Sequence, residues 1–343
     1  MLFQDRVAAA GLARAHGPAV EDFGARAPWG VLLLHMGGPE SLQGVEEYLR
    51  ALFADRDMIR MPFGGLWQER IAGLLARRRA PVVRQRYAAI GGGSPVAEIT
   101  RRQGRALERE LGWPVGIGFR YTRPRTDEAV KELLSRGARR LLVLPLYPQF
   151  SFCTTGSALA DLERCASGLP MSIVRDHHDD AGYIHTVAEN LRHTLGDWCS
   201  GGPCRILFVA HSLPLRYVRR GDPYVDQTRR SAQLVSDAAC LPDGGWHLAF
   251  SSRVGPVRWQ GPTLAQTVAR LRRERVRRLV AVPLSFAAEN LETLWDLDID
   301  LRRKCAESGI MDFRRVPAPG DSPRYLEALG RMARRAAAEV SDG

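Results

Sequence analysis

The sequence predicts an α/β protein built as two similar halves, each a parallel sheet wrapped by helices, with a cleft between them. Three observations carry this. Short β-rich runs alternate with longer helical patterns, as in parallel strands joined by crossover helices. TDEAVKELLSRGARRLLVLPLYPQF (126–150) is answered by LAQTVARLRRERVRRLVAVPLSFAA (264–288), with RRLLVLPL against RRLVAVPL. WGVLLLHMGGP (29–39) and PCRILFVAHSLP (203–214) share one form: a buried run, a His-bearing turn, then Pro.

Taken in order, residues 1–28 mix Arg6, Arg14 and Arg26 with Asp5, Glu21 and Asp22. They lack an apolar stretch followed by a small-residue cleavage site, so they read as a flexible extension rather than a signal peptide. The first α/β domain is expected over 29–196 and the second over 203–320. The turn-rich GDWCSGGPC (196–204) joins them, and 321–343 closes the chain as a helix. In each half an Arg-bearing turn, GFRYTRP or SSRVGP, precedes the helix-strand repeat. Ligands of open parallel sheets bind at the carboxyl ends of the strands, so the chemistry is expected in these turns.

The chain has 343 residues, with 45% hydrophobic and 25% charged, as in globular proteins. No apolar run reaches the ~18 residues of a membrane span. The net charge of +11 favours anionic ligands or acidic lipid. No strand interleaves aromatics with basic residues, so nucleic acid is not an expected partner. Cys153, Cys165, Cys199, Cys204, Cys240 and Cys305 show no CxxC or zinc-ribbon spacing. They suit free thiols in a reducing cytoplasm.

ENLETLWDLDID (289–300) spaces Glu289, Glu292, Asp296 and Asp300 so that an α-helix would stack them on one face. The bland reading is a solvated outer face. The run begins just after the strand-end turn VPLSFAA, in the half whose other strand end carries His211. That favours a cleft-lining face. His211 itself is placed for proton transfer near neutral pH. The first half offers Arg79, Tyr87 and Ser94 around a Gly-rich turn, and Arg120 and Tyr121 in GFRY; the second adds Arg253. Guanidinium and hydroxyl donors in this pattern suit a ligand bearing carboxylates. RMPFGGLWQERIAGLLARRRAP (60–81) sets Met61, Phe63, Leu66, Trp67, Ile71, Leu74 and Leu75 between basic ends. It fits a core helix or a helix lying on an anionic membrane surface.

LHMGGPES, IGGGSP, GFRYTRP, YPQFSFCTTGSAL, AHSLP, RGDPY, SSRVGPVRWQGP and LETLWDLD occur in this order, and together they resemble the ferrochelatase family. The resemblance runs from about Trp29 to Asp300. It implies two Rossmann-like domains of the chelatase type and insertion of Fe²⁺ into a porphyrin, protoporphyrin IX before coproporphyrin. His211 and Glu292 match the family's essential pair, which would take the pyrrole protons and meet the metal. Glu289, Asp296 and Asp300 would extend them as a lane for iron or protons. Arg79, Tyr87, Ser94 and Arg253 would hold the propionates, with Arg120 beside them. Met36, Tyr121, Trp259 and Phe286 would wall the macrocycle pocket.

No cofactor is required on this reading, since Fe²⁺ is a substrate. An internal [2Fe–2S] cluster would have to use Cys165, Cys199 and Cys204 with Cys153, because no Cys follows Cys305. The expected partners are porphyrin and Fe²⁺, with a peripheral membrane contact through 60–81 at the inner face of the cell membrane and room for a homodimer. One departure concerns the residues before LETL, where relatives carry Ser-Asp-(His/Cys) and this chain has Ala288, Glu289 and Asn290. Asn290 cannot carry a proton. The competing readings are a chelatase for another tetrapyrrole or metal, such as cobalt, and a non-catalytic porphyrin carrier. The carrier would need neither His211 nor the acidic run.

Overall fold

The computed structural model describes residues 28–56, 65–196, 204–252 and 257–341. The first half runs β1 (Trp29–His35), α1 (Val45–Ala54), α2 (Gly65–Ala89), α3 (Val96–Leu111), β2 (Val115–Phe119), α4 (Thr126–Ser135) and β3 (Arg140–Pro145). A π-helical turn, Phe152–Gly156, then leads into α5 (Ser157–Cys165), followed by β4 (Met171–Ile173) and α6 (Ala181–Leu195). The second half runs β5 (Cys204–His211), α7 (Leu215–Val218), α8 (Tyr224–Ala238), β6 (Trp246–Ser251), α9 (Leu264–Arg273) and β7 (Arg278–Pro283). A π-helical segment, Glu292–Leu301, continues into α10 (Arg302–Glu307), β8 (Asp312–Arg315) and α11 (Pro323–Ser341).

The expected duplication is present in the topology. The sheets have the orders β2-β1-β3-β4 and β6-β5-β7-β8, and every strand pair is parallel. The central strands β1 and β5 are continuous apolar runs because both faces of each sheet are covered. Along β1, Val31 and Leu33 face a core shared with Ile206 and Phe208 of β5 and with Tyr325 and Leu329 of α11. Leu32 and Leu34 point the other way, against Ala129 and Leu133 of α4. This two-residue alternation fixes which turn residues emerge toward the opposite half.

The halves are not equal copies. The first carries the α1–α2 hairpin, whose own core of Leu49, Phe53, Ala72, Ala76 and Tyr87 also receives Leu291 from the second half. α11 follows the second half in sequence yet packs on α3, α6 and β4 of the first. The linker residues 197–203, the extension 1–27 and the start of the 60–81 segment lie outside the described residues. Cys153, Cys165, Cys240 and Cys305 are free thiols. Cys204 is disulfide-bonded, which corrects the expectation of free thiols throughout.

Candidate active site

Strand register places two predicted residues at matching positions of the duplicated sheets. Leu34 of β1 pairs with Pro145 of β3, and Val209 of β5 pairs with Pro283 of β7. Two residues beyond these lie Met36 and His211, so the repeat sets a thioether and an imidazole at equivalent strand ends. The turn after Met36 needs glycine. Gly37 has φ +79°, and a Cβ there would lie 2.2 Å from Thr122 Oγ1, a backbone position for which only glycine is free of penalty.

His211 is held at both backbone polar groups. Its N–H donates to Ser285 Oγ (2.9 Å), and its carbonyl accepts from the Tyr224 hydroxyl (3.0 Å). Nδ1 stands 2.9 Å from Oε1 and from Oε2 of Glu292. The side chain remains 41% exposed, leaving Nε2 on the open side. Burial lowers the His211 pKa, but the Glu292 charge, its hydrogen bond and Asp296 outweigh that, and the net shift is upward from 6.5. For Glu292, burial raises the pKa, yet His211, Ser252 and Ser251 together bring it below its usual value.

The acidic run does not form the expected α-helix. Glu292–Leu301 is π-helical, a wider coil with i→i+5 bonding that is rare and concentrates at functional sites. Asn290 starts it: its Oδ1 accepts from the backbone N–H of Glu292 (2.8 Å) and of Thr293 (3.2 Å). Asn290 is therefore a cap. Glu292 accepts from Ser251 (3.2 Å) and Ser252 (3.0 Å). The same Ser252 hydroxyl lies 2.9 Å from Asp296 Oδ2. One hydroxyl hydrogen cannot serve two carboxylates, so the arrangement favours a proton on one of them. Burial, then the Glu292 charge, pushes Asp296 up to about 6. Ser252 holds this position at φ 57°, an uncommon conformation for a residue with a Cβ.

The other two acids are engaged elsewhere. Asp300 is paired with Arg303 (2.8 Å) and with Lys304. Glu289 precedes the π-helical segment and turns to Arg315 (2.8 Å) and the Ala318 N–H (2.9 Å). The structure thus joins His211, Glu292 and Asp296 through Ser252 and leaves Glu289 out of the line.

The first half meets this line through α2. Leu291 packs in the α1–α2 core, and Arg86 reaches Asp296 at 3.7 Å. Burial raises the Tyr48 and Tyr87 hydroxyls, and Glu292 raises both further, so they sit in its field. Arg79 is exposed on α2 with no ion-pair partner among the described residues. Ser94 is buried, where its hydroxyl accepts from the Val96 N–H at the start of α3 (3.4 Å).

Arg120 is not a free cation. It pairs with Asp55 (3.1 Å) and Asp161 (3.6 Å). Asp55 also accepts from the Tyr121 hydroxyl (2.6 Å) and from Ser157 (2.8 Å). Met36 is half-buried, Phe286 is buried in the turn after β7, and Trp259 is bridged to Pro214. The buried indole Nε1 of Trp259 has no partner among the described residues. Arg253 lies outside the described residues, as does Cys199. Sequence reasoning missed Ser251, Ser252, Tyr224, Ser285 and Arg86. The motifs SSRVGP and RGDPY contain three of them, but hydroxyl partners 13 to 74 residues away carry no local signal.

The family model described as Ferrochelatase matches residues 28–337. A ferrochelatase of Nostoc punctiforme is 38% identical over 315 residues, covering 88% of this chain and 81% of that protein. A ferrochelatase of Gloeobacter violaceus is 39% identical over 315 residues, covering 88% and 96%. Among solved structures, SirB from Bacillus subtilis with Fe³⁺ aligns with a TM-score of 0.53 at 13% identity, over 92% of this chain and 98% of that one. This last likeness is one of fold. The chain belongs to the ferrochelatase family.

Proposed function

We propose that this chelatase inserts Fe²⁺ into protoporphyrin IX, with the macrocycle in the cleft between 29–196 and 203–320 and His211 as the proton acceptor. The observation that carries this is the His211–Glu292 pair. When Nδ1–H is donated to the carboxylate, the Nε2 lone pair faces the cleft and can take the first of the two pyrrole protons, the second leaving to water as the metal enters. Glu292 then compensates the imidazolium that forms, as the carboxylate does in a Ser-His-Asp triad. Neither ATP nor a redox change is needed.

Oxygen ligands suit an incoming divalent cation, and Glu292 and Asp296 supply them on the Nδ1 side of His211. Arg79, with Arg253, is assigned to the propionates. Met36 and Trp259 offer apolar surface that suits the vinyl edges of protoporphyrin better than the extra propionates of coproporphyrin.

We also assign a peripheral membrane contact to α2. Trp67 is 57% exposed, and Leu74 and Val82 are likewise exposed, with Arg70, Arg77 and Arg78 on the same helix. Cations flanking an apolar face attract anionic lipid. No helix of the described residues is long and apolar enough to cross a membrane.

Anaerobic Fe²⁺ insertion by the purified chain, with protoporphyrin IX and coproporphyrin III compared at equal concentration, tests the substrate assignment. A higher kcat/KM for protoporphyrin is expected. A preference for coproporphyrin would reverse the assignment while leaving the chelatase chemistry in place.

A further inference from the structure

We propose that Arg86 is an electrostatic gate on the acidic lane, a cation carried by the first half that occupies the Asp296 carboxylate until a divalent metal displaces it. This rests on the chelatase reading above and concerns how that same site admits its metal.

The charges along the lane are unevenly answered. Glu292 has His211 at 2.9 Å. Asp300 has Arg303 and Lys304, both from the turn that follows it. Glu289 is withdrawn to Arg315. Asp296 has no cation from its own half among the described residues. Its neighbours are the Ser252 hydroxyl at 2.9 Å, the like charges of Glu292 and Asp300, and Arg86 of α2, from the first half, at 3.7 Å.

Arg86 is suited to move. Its side chain is 44% exposed against 19% for Asp296, and 3.7 Å exceeds the spacing of a close charge-assisted hydrogen bond. The Trp295 ring lies 6.0 Å from its guanidinium carbon, at the outer limit of a cation–π contact and beside the carboxylate it would leave. Arg84, two residues earlier on α2, is anchored to the Leu42 carbonyl (3.1 Å) and to Glu46 (3.5 Å). Arg86 has no such anchor among the described residues.

A divalent ion bound to Asp296 would sit within a few ångströms of this guanidinium, too close for the two cations to share the site without strong repulsion. Arg86 must therefore swing toward solvent as the ion arrives. In the resting state it holds the lane against weakly bound cations, so it sets the metal concentration at which the lane fills. Porphyrin does not enter this balance.

The test is the kinetics of Arg86→Gln and Arg86→Lys in the full chain, with Fe²⁺ and porphyrin varied separately under anaerobic conditions. Arg86→Gln is expected to lower the KM for Fe²⁺ about fivefold or more, leave the KM for porphyrin within twofold, and bind Mn²⁺ more tightly as a competitor (order-of-magnitude figures for removing one nearby charge). Arg86→Lys, which keeps the charge, is expected to restore the wild-type Fe²⁺ KM. An unchanged Fe²⁺ KM in Arg86→Gln, or a change confined to porphyrin, would overturn the gate. Failure of the wild type to metallate any porphyrin would instead overturn the chelatase reading on which the gate rests.

Discussion

His211 Nδ1 lies 2.9 Å from both carboxylate oxygens of Glu292, and this pairing couples the protonation of the two groups. The raised His211 pKa makes the imidazole a stronger base, but one that is charged and inactive until pH exceeds that value. Insertion is expected to rise with pH through an apparent pKa above 6.5, belonging to the pair rather than to either residue. Glu292→Gln removes the charge that raises His211 and leaves the burial that lowers it. The variant should be slower by ~10²-fold or more, with its acid limb moved to lower pH. A pH–rate profile with an unmoved limb would remove Glu292 from the pair.

Asp296 gives the opposite kind of signal, in stability. Its folded pKa of about 6 lies above the ordinary 3.8, so the folded state binds its proton more tightly than the unfolded chain does. The stabilising contribution is present below pH ~4 and is lost as pH rises through ~6. Asp296→Asn, free of that ionisation, should be the more stable protein at pH 7 by about 1–3 kcal/mol. The gain should vanish near pH 4. Thermal melts at the two pH values measure this, and equal gains at both would contradict it.

Ser252 can be tested apart from its backbone. Ser252→Gly removes the hydroxyl shared by Glu292 and Asp296 while relieving φ 57°, a conformation glycine adopts freely. Stability is expected to hold or rise slightly, with insertion falling about tenfold, the cost of roughly one charge-assisted hydrogen bond. Wild-type turnover in this variant would assign the hydroxyl no part in the reaction.

Tyr224 and Ser285 grip the backbone of His211 from two elements. Tyr224→Phe and Ser285→Ala should each lower kcat and leave the KM for porphyrin unchanged, because a loosened base misaligns the proton transfer rather than the binding. Their effects should not add, since they share one partner. Steady-state kinetics of the two single variants and the double variant measure both statements.

Arg79 and Arg120 separate in the same way. Asp55 is 1% exposed and pairs with Arg120 at 3.1 Å. Arg120→Ala should destabilise by about 3 kcal/mol, as expected when a buried carboxylate loses its cation. Exposed Arg79 has no such duty, so Arg79→Ala should leave the melting temperature unchanged and raise the KM for porphyrin.

What was legible in the sequence follows from how far each signal reaches along the chain. β1 and β5 are buried on both faces, so continuous apolar runs marked them, and the repeated RRLLVLPL and RRLVAVPL exposed the duplication of the two halves. His211 was legible because a strand end is a local feature. The acidic spacing of 289–300 fits an α-helix, and nothing in it distinguishes the π-helical coil that forms. The spacing puts Glu289 in the run, but Arg315, 26 residues on, draws it away. Arg120 read as a ligand-binding cation because its neutraliser, Asp55, is adjacent only after folding.

The most direct measurement is anaerobic Fe²⁺ insertion into protoporphyrin IX by wild type and His211→Ala, with porphyrin binding followed by fluorescence in both. The wild type should convert the porphyrin to haem, and His211→Ala should bind it and leave it metal-free. Turnover in His211→Ala near the wild-type rate would contradict the assignment of His211 as the base on which this account depends.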